Sequence, residues 1–231
     1  MIDLLKAEFY KLFHARDLAA AALCTLLLAS LMLLDSTRET AGLFYASLYN
    51  TPLLYFFVIL FAARFVGAEF GGRTLASLVS AGHGRGSILL AKTVVYQAGC
   101  LSILGVPLLL HGLLGQFFQA GAPYGAASPA EIFVLLFAIL AMGMLPLFCA
   151  FAFQDAGKAM AIPMVFYFLM IFAMNGSRAT QFAALLPMGQ PRLLALHALP
   201  LPAAAIAGID LGWIALLYGG AYLCFCRADL K

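Results

Sequence analysis

Apolar residues come in long blocks along this chain, and little separates them. Runs dominated by Leu, Ala, Phe, Val, Ile and Met cover about 18–34, 44–66, 87–114, 130–153, 158–175 and 202–226. Crossing the hydrocarbon core of a bilayer takes a helix of about 20 apolar residues, and each block reaches or approaches that length. The pattern therefore predicts six membrane-spanning helices, the third long enough to tilt or to project from the bilayer. A transmembrane barrel would show segments of about 10 residues with alternating polarity, and none is present. Pro52, Pro107, Pro146 and Pro163 fall inside the blocks. Each removes a backbone donor and favours a kink, which neighbouring helices in a membrane can accommodate.

Three stretches depart from the block pattern. The first is 1–17, where Ile2, Leu5, Phe9, Leu12 and Phe13 recur at helical spacing and Asp3, Lys6, Tyr10 and Lys11 fall largely elsewhere on the wheel. Such a helix lies in the headgroup layer with its apolar side in the acyl boundary. The second is AEFGGRTLASLVSAGHGRGSILLAK, Ala68–Lys92, with five glycines around a short helix-like core, Thr74–Ala81. Thr74 or Gly72 can cap the start of that helix and Gly82 can end it. Leu75, Leu78 and Val79 give it one apolar face, suited to the membrane or to a groove in a soluble partner. A connector without a partner is the alternative. The third is 177–201, SRATQFAALLPMGQPRLLALHALPL, where Phe182–Met188 and Leu193–Leu199 flank Gly-Gln-Pro. It reads as a helix, a turn and a second short helix that dip partly back into the membrane.

Composition agrees with the block pattern. The 231 residues are 65% hydrophobic and 10% charged, against about 25% charged in a soluble domain. The fold class is thus an all-α polytopic membrane protein with one domain over 1–231. A net charge of +3 says little by itself, but its distribution orients the chain. Lys6, Lys11, Arg16, Arg64, Arg73, Arg85, Lys92, Lys158, Arg227 and Lys231 fall on one side, and Arg38, Arg178 and Arg192 on the other. By the positive-inside rule this places both termini and the 68–86 element in the cytoplasm.

Little in the sequence points to chemistry. Glu131 and Asp210 sit near the outer ends of their spans, where water is close, and Arg64 and Asp155 near inner ends. Gln97 and Ser102 read as helix–helix contacts. The four histidines are scattered, there is no H-E-x-x-H and no G-x-x-x-x-G-K-[ST] phosphate loop. The five cysteines lie mostly inside apolar runs and do not form a disulfide framework. No catalytic site, no metal site and no nucleic-acid partner is expected. The two halves of the chain show no internal repeat of the kind common in secondary transporters.

LLKAEFYKL near the start, AEFGGRTLASLVSAGHGR followed by ILLAK, and FCRADLK at the end resemble the type-2 ABC exporter permease family. The resemblance covers essentially the whole chain and implies a bacterial cell-membrane protein. It implies a transport subunit without ATPase activity, paired with a second permease and with a separate cytoplasmic ABC ATPase that binds ATP and Mg. The first seventeen residues would be an elbow helix, and 68–86 the coupling element, with Glu69, Arg73, Thr74, Leu75, Leu78, Val79 and Arg85 as ATPase-coupling residues. The 177–201 segment would be the family's outer re-entrant region. Arg73 departs from the family's pattern, standing where Gly usually precedes the Thr-Leu pair. A substrate cavity between two permeases would draw on the second and fifth spans, with Asn50, Tyr55, Phe56, Met170 and Asn175 as candidates. Uncharged walls favour a lipid-like, peptide or hydrophobic drug substrate. The alternatives are a non-transporting membrane anchor, sensor or immunity subunit, and a self-contained channel or carrier.

Overall fold

A computed structural model of the protein describes residues 1–36, 40, 42–118, 127–174 and 179–228, with the side chains of 179–181 excepted. Among them there are helices and connecting turns and no strand. The elements are α1 (Ile2–His14), α2 (Arg16–Ser36), α3 (Leu43–Ala62), a π-helical turn (Ala63–Gly67), α4 (Ala68–Gly71), α5 (Thr74–Ser80), α6 (Arg85–Phe118), α7 (Pro129–Phe153), α8 (Ala156–Met174), α9 (Ala179–Leu185), α10 (Gln190–Ala195) and α11 (Ala203–Arg227). Six helical stretches are long and apolar enough to cross a membrane, α3 doing so together with the π turn and α4. The chain is a multi-pass, all-helical membrane protein.

The spans follow the apolar blocks to within a few residues. α7 opens on Ser128, whose hydroxyl accepts the Glu131 N–H while the Glu131 carboxylate accepts the Ser128 N–H. This reciprocal cap, with Pro129 in the first turn, fixes the helix start. All four mid-span prolines are buried.

α3 and α7 form the centre of the bundle, and α2, α8 and α11 are peripheral. Exposed apolar side chains line those outer helices, for example Leu23, Leu27, Leu31 and Leu34 on α2 and Val165, Phe168, Leu169 and Phe172 on α8. In a membrane these stripes face apolar surroundings, so exposure carries no hydrophobic cost. Hydroxyl, amide and imidazole groups stitch the spans together. His111 on α6 bridges Ser30 on α2 at 3.1 Å and Ser47 on α3 at 3.0 Å. Gln97 donates to the Leu140 carbonyl at 2.8 Å, the helix–helix contact its position suggested, whereas Ser102 bonds within its own helix to Ala98.

α1 packs along α6 through Leu4, Glu8 and Leu12, spaced by four residues and therefore on one helix face. The apolar stripe expected from the wheel is thus split. Leu12 is buried and Leu5 and Phe9 half-buried against the bundle, while Ile2 and Phe13 remain exposed.

Candidate functional site

At the end of the bundle that holds α1, α5 and the last turn of α11, four charged side chains meet. Glu8 comes from the buried stripe of α1, and Glu69 from the end of the second span. The π turn at Ala63–Gly67 brings Glu69 there: its i→i+5 bonding admits one extra residue and rotates the residues beyond it by about 100°. Phe65 and Glu69 consequently turn inward while Arg64 stays outside, 3.4 Å from Asp17. Lys92 projects from the third turn of α6 and is wholly buried. Its ammonium lies 2.6 Å from Glu8 Oε2 and 2.6 Å from Glu69 Oε1. Lys11 bonds to the same Glu69 oxygen. The Phe65 ring completes the cage, with Lys92 Nζ at 5.3 Å and Lys11 Nζ at 5.4 Å from its centre.

Two carboxylates and two ammonium groups make this cluster formally neutral. That balance is what makes its burial tolerable, since removing one partner of a buried pair leaves an uncompensated charge. Burial, reinforced by the Lys92 charge and opposed by Glu8, lowers the Lys11 ammonium below the ordinary lysine value. The cluster ties three elements together: α1, the end of the second span, and α6.

From Glu69 the chain runs directly into α5. Arg73 precedes it with φ 56° and ψ 15°, the left-handed conformation that a glycine adopts without strain. Arg73 thus holds the turn at some cost in strain. α5 ends in a Schellman arrangement: Gly82, at φ +90°, donates its N–H to the Val79 carbonyl, and His83 donates to Leu78. The apolar face of this helix is turned onto its own bundle. Leu75 is buried, and Leu78 and Val79 are half-buried against the same core. That face is therefore turned mainly towards its own bundle, with Leu78 and Val79 still partly exposed. Arg73, Thr74, Ser77 and Ser80 form the outward side. Arg85 is engaged elsewhere, its guanidinium donating to the carbonyls of Phe225, Cys226 and Ala228 at 2.7, 2.8 and 2.8 Å, so that it caps the end of α11.

A cavity of about 220 Å³ lies in the other half of the bundle. Tyr55 of α3, Ala141, Met142 and Leu145 of α7, Tyr167 and Met170 of α8, the 186–188 turn, and Trp213 and Leu217 of α11 line it. Tyr55 donates its hydroxyl to the Met142 carbonyl at 2.8 Å and Tyr167 to Leu53 at 3.1 Å, which spends their polarity on the backbone. Two of the expected cavity residues, Tyr55 and Met170, are in the lining. Phe56 instead packs half-buried on the core. Asn50 is a tether, donating to Ser36 Oγ at 2.8 Å and to the Ala46 carbonyl at 3.1 Å. Asn175 lies outside the described residues. This cavity lies within a single chain, among four spans and the 186–188 turn, and is distinct from the cavity between two permeases that the resemblance implies.

One side of the cavity is closed by Leu186, Pro187 and Met188, in the turn between α9 and α10. Gly189 permits the turn, because a Cβ there would sit 2.5 Å from the Ala183 carbonyl oxygen. Gly-Gln-Pro is not a link between two helices but the start of the second, since Gln190 and Pro191 open α10. Beneath it, Gln190 Nε2 donates to Asp210 Oδ1 at 2.8 Å and to the Ala184 carbonyl at 3.3 Å. Asp210 was expected near water, yet it is completely buried, because α10 covers it. Glu131 does stay partly exposed, with Tyr45 at 3.2 Å and His197 at 3.8 Å.

No protein-family model matches the chain, and no curated protein matches it.

Proposed function

We propose that the protein is the membrane-spanning permease subunit of an ATP-driven exporter, similar to the type-2 ABC exporter permeases, with both termini cytoplasmic. The observation that carries this reading is the ion cluster. Glu8, Lys11, Glu69 and Lys92 belong to the three stretches that resemble the family, LLKAEFYKL, AEFGGRTLASLVSAGHGR and ILLAK, and they meet at one buried point. A separate cytoplasmic ABC ATPase would press on the outward side of α5, through Arg73, Thr74, Ser77 and Ser80. Leu75, Leu78 and Val79 would receive that push from inside, and Glu69 would transmit it to Lys92 on α6 and Glu8 on α1. The π turn would be the joint in this relay, since it interrupts the regular helical ladder of the second span.

A ligand shifts such an equilibrium only by binding its two states unequally. The ATPase would do so through nucleotide-dependent closure. The substrate would do so at the apolar cavity, whose lining suits a lipid-like or hydrophobic molecule. A second copy or related permease would complete the transporter through the exposed apolar stripes. The test is reconstitution in vesicles with the ABC ATPase encoded beside its gene. Hydrolysis stimulated by a hydrophobic substrate and lost in Tyr55→Trp, which fills the cavity, is the expected result. A stable complex whose ATP hydrolysis ignores every substrate would favour an anchor or sensor subunit instead.

A further inference from the structure

Asp210 is the one charged residue of α11 before Arg227 at its far end. It has no cation within ion-pairing distance among the described residues. The charged side chains and histidines of the elements around it are paired or placed elsewhere. Glu131 of α7 is held by Ser128 and Tyr45 with His197 beside it, and Arg192 of α10 sits on Tyr49 at 3.0 Å. On α6, Lys92 is in the ion cluster, His111 lies between serines, and Arg85 caps α11. α9 carries no charged residue, and Lys158 of α8 is exposed in that helix's first turn.

The amide of Gln190 cannot be turned around. Both Nε2 hydrogens are used, by Asp210 Oδ1 and by the Ala184 carbonyl, and reversal would set Oε1 against two acceptors. Two atoms of the pair are then left buried without a hydrogen-bond partner: Asp210 Oδ2 and Gln190 Oε1. An acid and a primary amide joined by one N–H···O bond close a second through those remaining oxygens. Two acceptors can do so only if one carries a hydrogen.

We propose that Asp210 is a proton-binding site, and that its acid hydrogen is shared with Gln190 Oε1 in an acid–amide pair that latches α10 onto α11. The proton comes from water on that side of the membrane, converting the carboxylate to the neutral acid, and one proton satisfies both orphaned oxygens. Its loss sets a carboxylate oxygen against an amide oxygen, which loosens α10 and with it the 186–188 turn that lines the cavity. The latch does not depend on the partner assigned above.

The test is infrared spectroscopy of the full chain in lipid vesicles at pH 7, labelled with carboxyl-13C aspartate. The label also enters Asp3, Asp17, Asp35, Asp155 and Asp229, so the difference from Asp210→Asn assigns the signal. The expected result is a protonated-acid carbonyl band, absent from Asp210→Asn and displaced towards the unbonded position in Gln190→Leu. Aspartate signal that is wholly carboxylate in the wild type overturns the proposal without any variant. A band that Gln190→Leu does not move overturns the sharing. The latch has a separate readout, trypsin cleavage after Arg192 in the folded protein. Asp210→Ala is expected to be cut several-fold faster than Asp210→Asn, which keeps a donor for Gln190. Equal rates overturn the latch.

Discussion

The two ends of this bundle bury polar groups by different means. Near the termini, two carboxylates and two ammonium groups from α1, α4 and α6 cancel one another around a phenylalanine ring. At the opposite end a single carboxyl, Asp210, is met by an amide and by no cation among the described residues. The first arrangement holds distant parts of the chain with strong, long-range forces and fails badly if one member is lost. The second relies on a neutral pair and on close backbone fit, so it tolerates an isosteric replacement. In the proposed transporter, an end that transmits force would suit the first arrangement, and a segment that opens would suit the second.

Breaking the ion cluster is expected to have the largest effect. Lys92→Met leaves Glu8 and Glu69 buried around an apolar side chain, with only the half-exposed Lys11 to balance them. Loss of one member of a buried pair costs about 3–5 kcal/mol, read as a lowered thermal midpoint in detergent. Adding Glu8→Gln to that variant should return part of the loss, and no recovery would argue against charge as the cause. Gly189→Ala tests the other end's dependence on shape. Its methyl group would meet the Ala183 backbone, with an expected loss of about 1–3 kcal/mol and faster proteolysis confined to the α9–α10 segment.

Arg73→Gly should move stability the other way. It relieves a left-handed backbone on an exposed residue, although glycine adds freedom to the unfolded chain, so the net gain expected is below about 1 kcal/mol. A clear loss of stability would show that the Arg73 side chain does more than stand at the turn. Asp210→Asn is the smallest, because the amide keeps a donor for Gln190. Its stability should lie within about 1 kcal/mol of wild type, the scale of one hydrogen bond. A loss as large as that of Lys92→Met would erase the contrast between the two ends.

Much of this was legible in the sequence, and the reasons are specific. Span positions followed from length and hydropathy, since a bilayer leaves a helix few other ways to satisfy its backbone. Gly82 and the TLASLVSA core located α5. What the sequence hid was direction. Leu75, Leu78 and Val79 have the spacing of a docking face, and that spacing is identical whether the face meets a partner or its own bundle. Lys92 looked like one more cation near the membrane edge. The hint of its burial lay in its neighbours, ILLAKTVVY, which leave the ammonium no water. Glu8 stood between Leu4 and Leu12 on one face, a carboxylate in an apolar stripe, which is the pattern of a buried partner. The π turn has no marker in composition, so the inward rotation of Glu69 could not be read. Asp210 was misplaced because its depth depends on how α10 folds over it, a contact between residues 20 positions apart.

In the proposed transporter, α5 receives an ATPase on its polar side while its apolar side grips the bundle. The most direct measurement is site-specific photocrosslinking in cells, with a photoreactive residue at Ser77 and, as a control, at Phe172 on the exposed apolar face of α8. A crosslink from Ser77 to an ABC ATPase subunit, and none from Phe172, is the predicted result. If the ATPase is captured from neither Ser77 nor Ser80, the outward side of α5 is not the dock, and the ion cluster serves only to hold the fold together.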